Sequence, residues 1–221
     1  MDAASGSNSN VFLNGEKMHR VITAVGYGFS GSGAIIDFLK EFSSCYVEEC
    51  TEIRFFQDPD GISDLEYNLI GNPNGLNSGF AVKRFKALMD WQCADWPKIK
   101  WGYDRLIGRE FRGLVNDYLE RLLEGRWRGA WHRDHYPPYH GPFRTAWTLR
   151  RDLFFRAIGR HHWASCEQYL PTKSPDVFYG ATREFSEHFC SLVTRNNPAR
   201  DVVFDQLVPP TNISRYSRYF H

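Results

Sequence analysis

The glycine cluster Gly26-Tyr27-Gly28-Phe29-Ser30-Gly31-Ser32-Gly33 limits the fold of this chain more than any other stretch. Before it, Val21-Ile22-Thr23-Ala24-Val25 is short, apolar and β-branched, the pattern of a strand buried on both faces of a parallel sheet. After it, Ile35, Phe38, Leu39 and Phe42 recur at helical spacing and predict the buried face of a helix. A glycine-rich turn between a strand and a helix gathers unpaired backbone N–H groups around one point, where the helix dipole favours an anion. Glycine lets the backbone close around that anion with no Cβ in the way, and Ser30 and Ser32 add hydroxyl donors. An ordinary tight turn is the competing reading. Four glycines and two serines within eight residues favour the anion.

Farther along, Tyr46-Val47-Glu48 predicts a second, weaker strand. Ser63 reads as the cap of a short helix carrying Leu65 and Leu69, and Asn72-Pro73-Asn74-Gly75 reads as a loop. Ile107, Phe111, Leu114, Val115, Tyr118, Leu119 and Leu122 keep helical spacing up to a stop at Gly125. Arg126 to His140 has no clear period. Ser174-Pro175-Asp176 supplies a cap, a first-turn proline and a first-turn acid for a helix with Phe178, Ala181, Phe185, Phe189, Leu192 and Val193 on one face. Asn197-Pro198 ends it, and Asp201 to Asp205 reads as another buried strand. Strands alternating with helices predict an α/β fold with a mostly parallel sheet.

Size and charge exclude several classes. The 221 residues suit one domain, expected over 20–221 behind a disordered, polar tail at 1–19. With 27 basic against 26 acidic residues, no net field points to nucleic acid or an anionic membrane. No apolar run approaches the roughly 20 residues of a membrane span, and no secretion signal is visible. Cys45, Cys50, Cys93, Cys166 and Cys190 are odd in number and lack C-x-x-C spacing, which predicts reduced thiols in a cytoplasmic protein and no metal site. Aromatic residues make up 16%, clustering from Trp91 to Trp163; they suit packing first, and a ring-lined wall for a sugar or nucleobase second.

The loop departs from the nucleoside-triphosphatase pattern G-x-x-x-x-G-K-[ST], because Ser32 takes the lysine position and Gly33 that of the Mg²⁺-binding hydroxyl. It fits G-x-G-x-x-G nominally at Gly26, Gly28 and Gly31, but no acid in convincing context follows about 20 residues on. Ser30-Gly31-Ser32, inside Gly28-Phe29-Ser30-Gly31-Ser32-Gly33-Ala34, instead resembles the 5′-phosphosulfate loop of the P-loop sulfotransferases. A second match is Asp205-Gln206-Leu207-Val208-Pro209-Pro210 with Asn212 to Phe220, similar to the bacterial members' acid–lysine–Thr–Pro strand end and the helix after it. Phe29 and Gln206 stand where that family has cations, and His221 precedes the expected strand whose arginine grips the 3′-phosphate. Either the domain is incomplete at its C-terminus or the 3′-phosphate is held differently.

The resemblance implies a P-loop-type three-layer α/β/α domain with a helical, aromatic-rich insertion at about 79–196. It implies sulfuryl transfer from 3′-phosphoadenosine 5′-phosphosulfate to a hydroxyl acceptor such as a saccharide, without a metal. Gly28, Phe29, Ser30, Gly31, Ser32 and Gly33 would bind the co-substrate, and Glu52 or Asp205 would take the acceptor proton. Arg54, Lys83 or Arg84 would supply the charge that Phe29 lacks. The alternatives are a P-loop kinase or nucleotidase, and a non-catalytic protein with a degenerate loop. Elsewhere, His132, Asp134, His135 and His140 are too irregular for a metal motif, and His161-His162 reads as helix-end chemistry. Arg144, Arg150, Arg151, Arg156 and Arg160 read as a charged helix face before an anion-docking surface, and Asp58-Pro59-Asp60-Gly61 reads as a turn.

Overall fold

A computed structural model describes residues 19–27, 31–47, 53–94, 102–129, 166–195 and 201–221, with residues 131, 146, 149–150, 153–154, 156–158 and 197. Its organising strand is the last one in the sequence. Strand β5 (Asp201–Asp205) lies between β1 (Arg20–Ala24) and β2 (Cys45–Val47), parallel to both. Arg20 to Ala24 stand opposite Asp201 to Asp205, and Cys45 to Val47 opposite Asp201 to Val203. Because side chains alternate across a strand, Val202 and Phe204 enter the main core while Val203 packs with Ala24 and Ile36 on the other face. That two-sided burial explains the unbroken apolar runs of the sequence.

Helix α1 (Ser32–Leu39) covers the Val203 face, with a correction to the expected stripe. Ile36 is its buried residue and Leu39 packs beside it, whereas Ile35, Phe38 and Phe42 are 56%, 63% and 45% exposed. The apolar stripe is wider than the narrow sheet it covers, so its flank stays outside. There the Phe38 and Phe42 rings meet edge to face at 5.2 Å.

Between β2 and β5 lie helix α2 (Ile62–Glu66) with a π-type turn at Tyr67–Gly71, α3 (Gly75–Cys93), α4 (Tyr103–Leu106), α5 (Glu110–Leu122) and α6 (Pro175–Thr194). Strands β3 (Leu123–Gly129) and β4 (Cys166–Pro171) form a separate antiparallel pair between α5 and α6. Two expectations change here. The helix through Tyr118 ends at Leu122, and Gly125 lies inside β3 at a register shift instead of stopping a helix; Arg126 to Gly129, aperiodic in sequence, belong to this strand. Ser63 is a buried residue within α2, whose N-cap is Gly61; Leu65 and Leu69 are buried as expected. Asn74 caps α3 by accepting from the Leu76 N–H, and Ser174 caps α6 by accepting from Val177.

Aromatic residues hold these layers together. Phe189 of α6 stacks on Phe204 at 5.6 Å and meets Phe55 edge to face at 5.3 Å. Behind them Tyr118 and Phe185 lie 4.8 Å apart, joining α5 to α6. The C-terminal segment, helix α7 (Ile213–Tyr216) and a 3₁₀ turn at Ser217–Tyr219, is fastened by the buried Glu66. The Glu66 carboxylate accepts from Tyr179 Oη at 2.5 Å, Arg215 Nε at 2.6 Å and the Tyr219 hydroxyl. Burial pushes the Glu66 pKa up, but the hydrogen bonds from Tyr179, Tyr219 and Arg215 outweigh it and hold the carboxyl below the usual range. No helix among the described residues is long and apolar enough to cross a membrane.

Candidate anion-binding site

The carboxyl ends of β1 and β5 come together where the chain enters the glycine cluster. Ala24 stands opposite Asp205, and the chain leaves β1 through Val25, Gly26 and Tyr27 to re-enter helix at Ser32. Gly31 is the N-cap of α1 with φ +87°, a conformation glycine adopts without strain, and it supplies no side-chain cap. A Cβ built at Gly31 would meet nothing within 4 Å among the described residues. The leading N–H groups of an α-helix have no acceptor within the helix. In α1 the Ala34 N–H donates to the Gly31 carbonyl at 3.1 Å, and the glycine N-cap offers no side chain to the amides of Ser32 and Gly33. Ser32 places its hydroxyl at the same point, and Gly33 follows on the exposed side.

Asp205 ends β5 opposite Ala24, and Gln206 follows it beside Ser32. The Asp205 Oδ1 atom is buried and has no hydrogen-bond partner among the described residues. Gln206 carries φ +50°, which costs a residue with a Cβ roughly 1–2 kcal/mol. Its backbone is held on both sides: its N–H donates to the Ala24 carbonyl at 3.0 Å, and its own carbonyl accepts from Gln57 Nε2. The next residue, Leu207, donates its N–H to Thr23 Oγ1 at 3.1 Å, so a side chain extends the β1–β5 ladder past the strand end. From this clamp Gln206 Nε2 reaches Ser32 Oγ at 3.5 Å.

Of the residues singled out in sequence, Gly31, Ser32, Gly33, Asp205 and Gln206 belong to this corner. Gly28, Phe29, Ser30 and Glu52 lie outside the described residues, as do His132, Asp134, His135, His140, His161 and His162. The three cations considered for the loop have other partners. Arg54 Nε donates to Asp58 at 3.0 Å, in the turn that also carries Gln57. Lys83 donates to Gln168 on β4 at 2.9 Å, and Arg84 pairs with Asp60 at 2.6 Å. Gln57 was not legible as a site residue, because nothing in Phe55-Phe56-Gln57-Asp58 marks it out from any polar turn residue.

The donors therefore gather without a formal charge among the described side chains that touch Ser32 or Gln206. They are helix-start amides and a serine hydroxyl, the latter contacted by the Gln206 amide, with one carboxylate nearby at the end of β5. Neutral dipoles fixed in place stabilise an anion without the strong counter-ion that a lysine would bring. No family model, curated protein or solved structure matches the chain.

Proposed function

We propose that the chain is a sulfotransferase-like, P-loop-type protein that binds the 5′-phosphosulfate of 3′-phosphoadenosine 5′-phosphosulfate at residues 28–33 and passes the sulfuryl group to a hydroxyl acceptor. The observation that carries the reading is the left-handed Gly31, unobstructed by any described residue and directly before Ser32, past the carboxyl end of β1 in a parallel sheet. Ligands of open α/β sheets sit at strand carboxyl ends. The residues fit the group, since Gly31 leaves room for a close backbone approach and Ser32 offers a hydroxyl.

In this mechanism the amides at the start of α1 and Ser32 bind and orient the anion, and they stabilise the charge developing on the bridging oxygen. Asp205 takes the proton of the acceptor hydroxyl as the acceptor oxygen bonds to sulfur and the bridging S–O bond breaks, releasing adenosine 3′,5′-bisphosphate. Its buried, unpartnered Oδ1 supports that role; Glu52 is the other candidate base. The same Asp205 oxygen favours a second reading, a Mg²⁺–nucleotide site in which this carboxylate would help hold the metal.

Thermal melting separates the two. Adenosine 3′,5′-bisphosphate should raise the melting temperature equally in chelator and in Mg²⁺, since a ligand selective for the folded state stabilises it. A shift seen only with Mg²⁺ and a nucleoside triphosphate would transfer the site to the second reading. No shift with either ligand at millimolar concentration overturns both.

A further inference from the structure

We infer that Gln206 is a positioning residue for the anion loop: its side-chain amide directs the single proton of the Ser32 hydroxyl toward the bound anion. The inference rests on the anion-binding reading above and adds a residue that touches neither anion nor acceptor. A serine hydroxyl can accept hydrogen bonds but has one proton to give. Left alone at a helix start, it commonly turns that proton back to nearby backbone. Gln206 Nε2 donates to Ser32 Oγ at 3.5 Å across 174 residues of sequence. Once the oxygen is engaged as an acceptor from that side, the O–H is left to point away from Gln206, toward the bound anion.

The backbone at Gln206 shows that a side chain is kept there at a cost. Its φ of +50° is one that glycine would take without strain. The hydrogen bonds that hold the conformation, from its N–H to Ala24 and from Gln57 to its carbonyl, are made by backbone atoms. Glycine would keep both. What glycine would lose is the amide that reaches Ser32. Strain held in place by its surroundings and tolerated beside a site is the pattern of a residue retained for what its side chain does. The neutral amide also explains how the position acts without the charge of a lysine: it orders another donor instead of binding the anion itself.

The test is a double-mutant cycle on affinity for adenosine 3′,5′-bisphosphate, read by calorimetric titration of the full chain. Ser32→Ala should weaken binding about ten- to a hundredfold. Gln206→Met, similar in size but without the amide, should weaken it about tenfold alone and less than about threefold in the Ser32→Ala background. Gln206→Gly should weaken binding like Gln206→Met while its melting temperature stays level or rises, a split that a merely structural glutamine would not produce. Additive losses in the double variant, or wild-type affinity in Gln206→Met while Ser32→Ala is weakened, overturn the role of Gln206 and leave the anion site standing. Wild-type affinity in Ser32→Ala overturns the inference while leaving a backbone-held anion site standing; no binding by the unaltered protein removes both.

Discussion

Removing the Glu66 carboxylate should unfasten the C-terminal segment from the core. Glu66 is 7% exposed and joins three elements: α2, on which it sits; α6 through Tyr179; and the C-terminal segment through Arg215 and Tyr219. In Glu66→Ala the Tyr219 hydroxyl loses its acceptor in a buried place, and Arg215 loses its carboxylate while keeping its bond to the Ser63 carbonyl. An unpaired buried hydroxyl costs about 1–3 kcal/mol, and breaking a buried ion pair about 3–5 kcal/mol. The Arg215 side chain is 32% exposed, and water reaching it lowers the second figure, so the combined loss is about 3–4 kcal/mol. For a chain of this length that lowers the melting temperature by roughly 10 °C. Acidity gives an independent readout. The folded Glu66 pKa lies below the unfolded value of roughly 4.3, so its contribution is fully present above that value and is lost as pH falls through the folded pKa. Glu66→Gln should remove that part of the acid sensitivity. Melting of Glu66→Ala within 2 °C of the parent, or an unchanged acid slope in Glu66→Gln, would refute the reasoning.

Glycine substitutions at two helix positions should move stability in opposite directions. A Cβ at Gly79 of α3 would come within 2.8 Å of the Tyr169 carbonyl oxygen, so Gly79→Ala should cost about 1–3 kcal/mol in a denaturant titration despite alanine's better helix propensity. A Cβ at Gly113 of α5 would meet no described residue within 4 Å, and Gly113→Ala should add roughly 0.5–1 kcal/mol; reversed signs would contradict the α3–β4 contact. Burial, reinforced by Asp104, pushes the Cys93 thiol up to about 12, and burial raises that of Cys190 as well. At pH 8 both should stay unlabelled by a thiol reagent in the native protein and react in denaturant, a difference mass spectrometry of the peptides would read. At the loop, Gly31→Val should abolish bisphosphate binding while Ser32→Ala only weakens it, because a β-branched side chain at φ +87° both strains the backbone and occupies the space beside it. Equal losses in the two would contradict that ordering.

The elements that sequence revealed are those whose apolar residues share one burial environment. β5 is covered on both faces and reads as an unbroken apolar run; α5 and α6 bury regular stripes from Phe111 to Leu122 and Phe178 to Val193. Helix α3 was invisible because its buried face includes Ser78, Gly79 and Gln92 beside Val82, Phe85 and Met89, which dilutes the period. Gly79 is small there because a neighbouring strand comes so close, and that strand lies about ninety residues away in sequence. The β3–β4 pair hid for a related reason: Leu123, Gly125 and the arginines of β3 are half-buried or exposed, so no alternation marks them. Ser63 looked like a cap because serine favours helix starts. The start fell at Gly61, where a Cβ would meet the Phe55 and Asp58 carbonyl oxygens, and Ser63 turned inward. Gly31, Ser32 and Asp205 stood out in the sequence from their chemistry and context, and the fold brings them to one corner. The Gln57–Gln206–Ser32 chain did not stand out, since it depends on β5 lying beside β1, which no local pattern contains.

The central claim is that the turn between β1 and α1 holds an anion through its backbone, and one titration addresses it most directly. Adenosine 3′,5′-bisphosphate is titrated calorimetrically, in chelator, into the unaltered chain and into Gly31→Val, with the cooperative melt of each recorded on the same sample. The account predicts saturable, metal-independent binding to the unaltered protein and none to a Gly31→Val protein that still melts cooperatively. Equal affinity in the two folded proteins, or no binding heat from the unaltered chain at millimolar ligand, would contradict it.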